Sequence, residues 1–126
     1  MAEAVTTYDF RKRLARHFYN GSDLPQATQM AFGDGGHDAD GNPISPDASK
    51  TSLNNELLRK DLASIYQEDD FSTTGSGRIA KSELVGTDIS EAGLLDAEGN
   101  LLGFKNFAPK AKESDEEYEI NIKLKF

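Results

Sequence analysis

The residues best placed for chemistry lie in one acidic, glycine-rich stretch, Gly33-Asp34-Gly35-Gly36-His37-Asp38-Ala39-Asp40-Gly41-Asn42-Pro43. Aligned with the calcium-loop pattern D-x-[DN]-x-[DN]-G-x5-E, it puts Gly36, Asp38, Asp40, Gly41 and Asp47 at the diagnostic positions. Carboxylates two residues apart can converge on a hard cation, which makes Asp38, Asp40 and Asp47 the candidate metal ligands, with His37 as an extra donor. The pattern is incomplete, because the first acid is missing and Pro43 and Pro46 stiffen the stretch where a helix should begin. A solvated loop is the plainer reading. Phosphate binding fails on chemistry: no Lys-[Ser/Thr] follows the glycines, and the neighbouring carboxylates repel an anion.

Other catalytic constellations are missing. The chain has no cysteine, so thiolate nucleophiles, thiolate zinc sites and disulfides are excluded. There is no G-x-S-x-G elbow, and the only imidazoles are His17 and His37. With 22 acidic residues, carboxylate pairs arise by chance and carry no information. No enzyme is expected, and no cofactor. The acidic run Glu113, Asp115, Glu116, Glu117 and Glu119 reads as a solubility device beside the last strand, with a docking surface for a basic partner as the alternative. A net charge of −8 argues against capture of the whole chain by nucleic acid or an anionic membrane. No apolar run is long enough to span a bilayer, and the N-terminus lacks the continuous apolar core of a signal peptide.

The elements that would position these residues follow from periodicity. Thr7 to Asn20 has helical spacing: Phe10, Leu14, His17 and Phe18 fall on one face, and Lys12, Arg13 and Arg16 on the other. Thr6 or Thr7 caps its start and Asn20-Gly21 its end, and His17 reads as structural. This is the one basic segment. Residues 1–20 carry four positive and two negative charges, and the remainder carries −10. Thr28 to Phe32 suggests a short strand. Thr51 to Lys60 predicts a second helix with Leu53, Leu57 and Leu58 on one side; beyond it both periods fit, a continuation of the helix to Tyr66 or, preferred, a strand at Leu62–Gln67. Phe71 to Gly77 reads as a polar turn and Arg78 to Val85 as the strand returning from it. Ile89–Leu95 and Leu101–Phe107 flank Asp96-Ala97-Glu98-Gly99-Asn100 as a hairpin, and Tyr118 to Phe126 alternates strictly. The expected architecture is α+β: one domain over residues 1–126, an antiparallel sheet of about five or six strands with one or two covering helices.

Three ordered segments carry a resemblance. Phe32-Gly33-Asp34-Gly35-Gly36, then Thr51-Ser52-Leu53-Asn54-Asn55-Glu56-Leu57-Leu58-Arg59 beyond Pro43 and Pro46, then Ile89-Ser90-Glu91-Ala92-Gly93-Leu94-Leu95-Asp96-Ala97-Glu98-Gly99-Asn100-Leu101 resemble the N-terminal domain of phage tail-collar fibre proteins. The resemblance covers about residues 5–110. It implies a virion structural role: holding a fibre, usually a trimer, on the baseplate, with a baseplate protein and other fibre chains as partners. It also implies a location in the virion tail, with the bacterial cytoplasm before assembly, and no catalytic residues. The motif residues are Gly33, Asp34, Gly35, Glu56, Arg59, Glu91, Gly93, Asp96 and Gly99. Their expected duties are structural. The glycines supply positive φ, Glu56 and Arg59 share a helix face, and Arg59 pairs with Glu91 across the fold. The family's fibres run on where this chain stops at Phe126, so the expectation is either an excised domain or a small member complete in itself. The first helix is more basic than the motif requires.

Overall fold

The computed structural model describes residues 3–126. The chain forms β1 (Val5–Thr6), α1 (Tyr8–Asn20), β2 (Gln29–Gly33), β3 (Glu56–Asp61), β4 (Ser64–Asp69), β5 (Ser72–Ile79), β6 (Asp88–Leu95), β7 (Leu101–Ala111) and β8 (Tyr118–Lys125). Five strands make one antiparallel sheet in the order β1-β7-β6-β2-β3, and three make a second in the order β4-β5-β8. The α+β expectation is therefore corrected: among the described residues the fold is β-rich, two antiparallel sheets with one short helix.

The main core lies between the sheets. Met30 and Phe32 of β2, Ala92 and Leu94 of β6 and Leu102 of β7 meet Ile79 of β5 and Ile122 and Leu124 of β8. A second cluster of Ala31, Leu95, Leu101 and Phe104 lies under Leu53. Ala31 and Met30 are neighbours on β2, so the alternation of strand side chains puts this cluster on the opposite face of the five-stranded sheet. Because both faces are covered, β6 is buried at every position from Ile89 to Leu95. Strand β8, wet on one side, keeps its period of two.

Two segments depart from the periodicity reading. The Thr51–Lys60 helix does not form. Leu53 and Leu58 go to different core clusters, and Leu57, 41% exposed, is the extra residue of a bulge opposite Phe32–Gly33. Leucines at positions 53, 57 and 58 imitate helical spacing while serving a loop, a bulge and a strand. The polar segment 71–77 is not a turn but most of β5, the central strand of the small sheet, which ends at Ile79 instead of running to Val85. Its lack of apolar side chains has a steric reason. A β-carbon on Gly77 would overlap Met30 Sδ and come within 2.9 Å of Phe32 Cζ, and one on Gly75 would lie 2.7 Å from Leu94 Cδ2. The sheets close onto bare backbone there.

The first helix forms as expected. Thr7 is its N-cap, accepting from the Phe10 amide at 3.2 Å, and Gly21 closes it in the left-handed region at φ 72°. Buried Thr7 Oγ1 also points its hydroxyl at the Leu101 and Leu102 carbonyls, fixing α1 to the start of β7. Only Phe10 of the helix is buried. Phe18 and His17, expected on the apolar face, are exposed, because the second half of the helix extends past the sheets. The β6–β7 hairpin stands where its Asp-, Gly- and Asn-bearing turn put it, and the C-terminal strand where its alternation put it.

Candidate functional site

The motif residues converge where β2 ends. Register pairs Gly33 with Glu91 of β6, and Glu91 in turn with Asn106 of β7. Glu91 is 1% exposed, in the middle of the five-stranded sheet. Its carboxylate accepts three backbone amides from two loops: Gly35 and Asn55 on Oε2 and Asn54 on Oε1, each at 2.8 Å. Asn54 Nδ2 donates to the Gly35 carbonyl at 2.9 Å, and Asn55 Nδ2 to Asp34 at 2.6 Å. Beside them Ser90 Oγ accepts from the Gly36 amide at 2.9 Å and lies 2.7 Å from His37 Nδ1. One strand residue and its neighbour thus hold the 33–37 loop, and Glu91 ties it to the 54–55 turn.

That convergence explains the glycines by space. A β-carbon on Gly33 would overlap the Asn55 carbonyl and sit 2.6 Å from Glu91 Oε2, and one on Gly35 would meet the same carboxylate oxygen at 2.9 Å. Neither residue has positive φ, which corrects the expectation for them and for Gly93, where a β-carbon would press on Leu101 at 2.6 Å. Gly99 does satisfy it, at φ 85° in the β6–β7 turn.

The expected Arg59–Glu91 pair is absent. Arg59 makes a two-pronged contact with Glu56, Nε to Oε2 at 3.1 Å and Nη2 to Oε1 at 2.8 Å. The two share a face because of the Leu57 bulge, not because of a helix turn. This contact holds the Arg59 guanidinium above its ordinary pKa. Asp96, 4% exposed, organises the turn. It accepts from the Glu98 and Asn100 amides at 3.0 and 2.8 Å, from Asn100 Nδ2 at 3.0 Å and from Arg13 Nη1 at 3.1 Å. Burial acts to raise the Asp96 pKa, but these donors outweigh it and hold the carboxyl below its usual value. Arg13 also meets Asp9 at 3.2 Å, so it joins α1 to the hairpin.

The calcium-loop candidates are not brought together. Asp38 Oδ1 accepts from the Asp40 and Asn42 amides at 3.0 and 2.9 Å, and Asp47 Oδ1 accepts from the Ser49 hydroxyl and amide at 2.7 and 2.9 Å. The Ser49 contacts hold Asp47 below the usual carboxylate value. Among the described residues no group of three or more His, Asp or Glu side chains is placed to hold a metal ion.

Sequence reasoning missed Arg13, Asn54, Asn55 and Ser90 as working parts. The signal existed for the asparagines, an Asn-Asn pair directly before a strand, where Asx side chains bond local backbone. Arg13 had none, because helical periodicity put it on the wet face. Chemically the site is a clamp: a buried carboxylate occupied by three N–H groups keeps two loops in one shape.

A family model, the phage tail-collar fibre protein N-terminal domain, matches residues 1–123. No curated protein matches the chain. No helix of the described residues is long and apolar enough to cross a membrane.

Proposed function

The chain belongs to the phage tail-collar fibre family, and from that premise we propose that residues 1–126 act as one domain that attaches a tail fibre to the baseplate. A family of this kind is structural, sits in the virion tail and associates with other tail components. The finer reading names a baseplate protein and other fibre chains, in a homotrimer, as those components, with the chain in the bacterial cytoplasm until assembly. One observation carries it: the residues of all three motifs form a clamp around Glu91 and a braced turn around Asp96, which supports a surface kept rigid for docking. A calcium module using Asp38, Asp40 and Asp47 draws no such support, since Asp38 and Asp47 each serve their own turn.

The test is location. An epitope tag on this chain, expressed in the phage or prophage that encodes it, should label the fibre-bearing end of purified tails in immunogold micrographs. Label along the tail tube, or on no particle at all, would exclude attachment.

A further inference from the structure

The C-terminal half of α1 stands clear of both sheets, and Phe18 is 94% and Tyr19 86% exposed. Two adjacent aromatics so bare on a structured helix are the mark of an interaction surface. At 100° per residue, Lys12, Ala15 and Tyr19 lie opposite Phe10, with Arg11 and Arg16 flanking them and Phe18 at the margin, bare because the helix end projects past the sheets. Among the described residues Arg13 is the only cation of the helix in an ion pair; Arg11, Lys12 and Arg16 make none. The outward face therefore interleaves aromatics with uncommitted cations.

Charge decides what would cover it. The helix carries four cations and one carboxylate, net +3, so the rest of the chain carries −11. A phosphate polymer or anionic bilayer would be repelled by the acidic remainder of the chain. A second copy is itself at −8, so what it offers the helix is local: an acidic stretch at residues 110–119. It also offers a slot. Between β7 and β8 runs a cleft of about 640 Å³ with Phe107, Tyr118 and Ile120 among its walls and Glu116 and Glu117 on its rim. Two lysines line it as well, both committed: Lys105 Nζ donates to the Asn121 carbonyl at 2.7 Å, and Lys110 lies over the Tyr118 ring at 5.0 Å. Residues 110–119 hold two cations and five carboxylates, net −3.

We propose that α1 of one copy seats Phe18 and Tyr19 in the β7–β8 cleft of a second copy, with Arg16 against Glu116, the neighbouring Glu117 being paired already with Arg78 at 3.1 Å. This rests on the self-association within the proposed function and gives it a surface. The helix is fixed at the start of β7, through Thr7 and Leu102, while the cleft lies along the second half of that strand. Donor and acceptor surfaces are therefore different patches of one molecule. The contact is head-to-tail, closing into a ring or propagating according to its rotation.

Sedimentation velocity of the full chain, over protein concentrations spanning about two decades, reads this out. Reversible assembly is expected, weakened about tenfold between low salt and roughly 0.5 M salt. Phe18→Ser should weaken it by about tenfold or more, as loss of a buried aromatic anchor does. Arg16→Glu and Glu116→Arg should each weaken it, and the two combined should restore it to within about threefold of the parent. All of these sites are exposed or half-buried, and circular dichroism of each variant checks the fold. A chain that stays monomeric throughout would overturn the contact, as would assembly indifferent to Phe18→Ser or a charge swap that fails to rescue. Binding to anionic vesicles or duplex DNA without self-association would overturn it in favour of a phosphate surface. None of these results touches the tag-location test, so the two readings fail separately.

Discussion

At Glu91 three backbone amides converge on one buried carboxylate. An ionised carboxylate only accepts, whereas the isosteric amide brings two donors of its own. In Glu91→Gln the NH2 must face at least one of those amides, leaving buried donors opposed, with an expected loss of about 2–4 kcal/mol. Arg59→Ala should cost much less, about 0–1 kcal/mol, because the Arg59 and Glu56 side chains are 39% and 31% exposed and solvent screens the pair. Urea unfolding of both variants measures the contrast. Equal midpoints for the two would mean that Glu91 holds no more of the fold than a surface ion pair does.

At the scale of elements, the narrow gap between the sheets over β5 sets the architecture. Gly77→Ala must push Met30 or Phe32 aside and should lower stability by about 1–3 kcal/mol. Gly86→Ala is the comparison: nothing lies within 4 Å of its β-carbon, and only its φ of 79° opposes alanine, at about 1–2 kcal/mol. Thermal melts showing Gly86→Ala as the worse variant would mean that sheet spacing tolerates a methyl. The same strand shows what the sequence could and could not convey. Alternation revealed β8 because one side is wet, and capping residues revealed α1 because Thr7 and Gly21 act locally. Strand β5 was illegible, because Ser72-Thr-Thr-Gly-Ser-Gly has the composition of a turn and is buried by a sheet from elsewhere in the chain. The leucines at 53, 57 and 58 misled for a related reason: long-range pairing overrode a local helical period. At the site, the glycine motifs and Glu91 stood out as a set, but their partners did not. A strand carboxylate meeting amides from positions 35, 54 and 55 is a tertiary fact.

Over the whole molecule, acid acts in two opposite ways. Protonating carboxylates relieves the self-repulsion of a chain at −8 down to its isoelectric point near 4.7, which favours the folded state over that range. It also removes acceptors that the fold uses, two of which, Asp96 and Glu83, are held below the ordinary carboxylate range. Asp96 is held down by Asn100, Glu98 and Arg13 against the opposing effect of burial, and Glu83 by Lys60 and the Ala80 amide. A group whose folded pKa lies below its unfolded value contributes stability that is fully present above the unfolded pKa, about 4, and is lost as pH falls through the folded one. Asp96 is nearly buried and binds four donors across α1 and the hairpin, so its loss should outweigh the relief of diffuse, screened repulsion. The melting temperature is therefore expected to vary little from pH 8 to about pH 5 and to fall below about pH 4. Asp96→Asn should melt lower than the parent at pH 7, by an amount equivalent to about 1–2 kcal/mol, and should then fall less steeply in acid, because the group that titrates is gone. Parallel curves for parent and variant down to pH 3 would assign acid sensitivity to other carboxylates. A parent that gains stability between pH 7 and its isoelectric point near 4.7 would mean that relief of net negative charge, not the bracing of the hairpin against α1, governs this chain there.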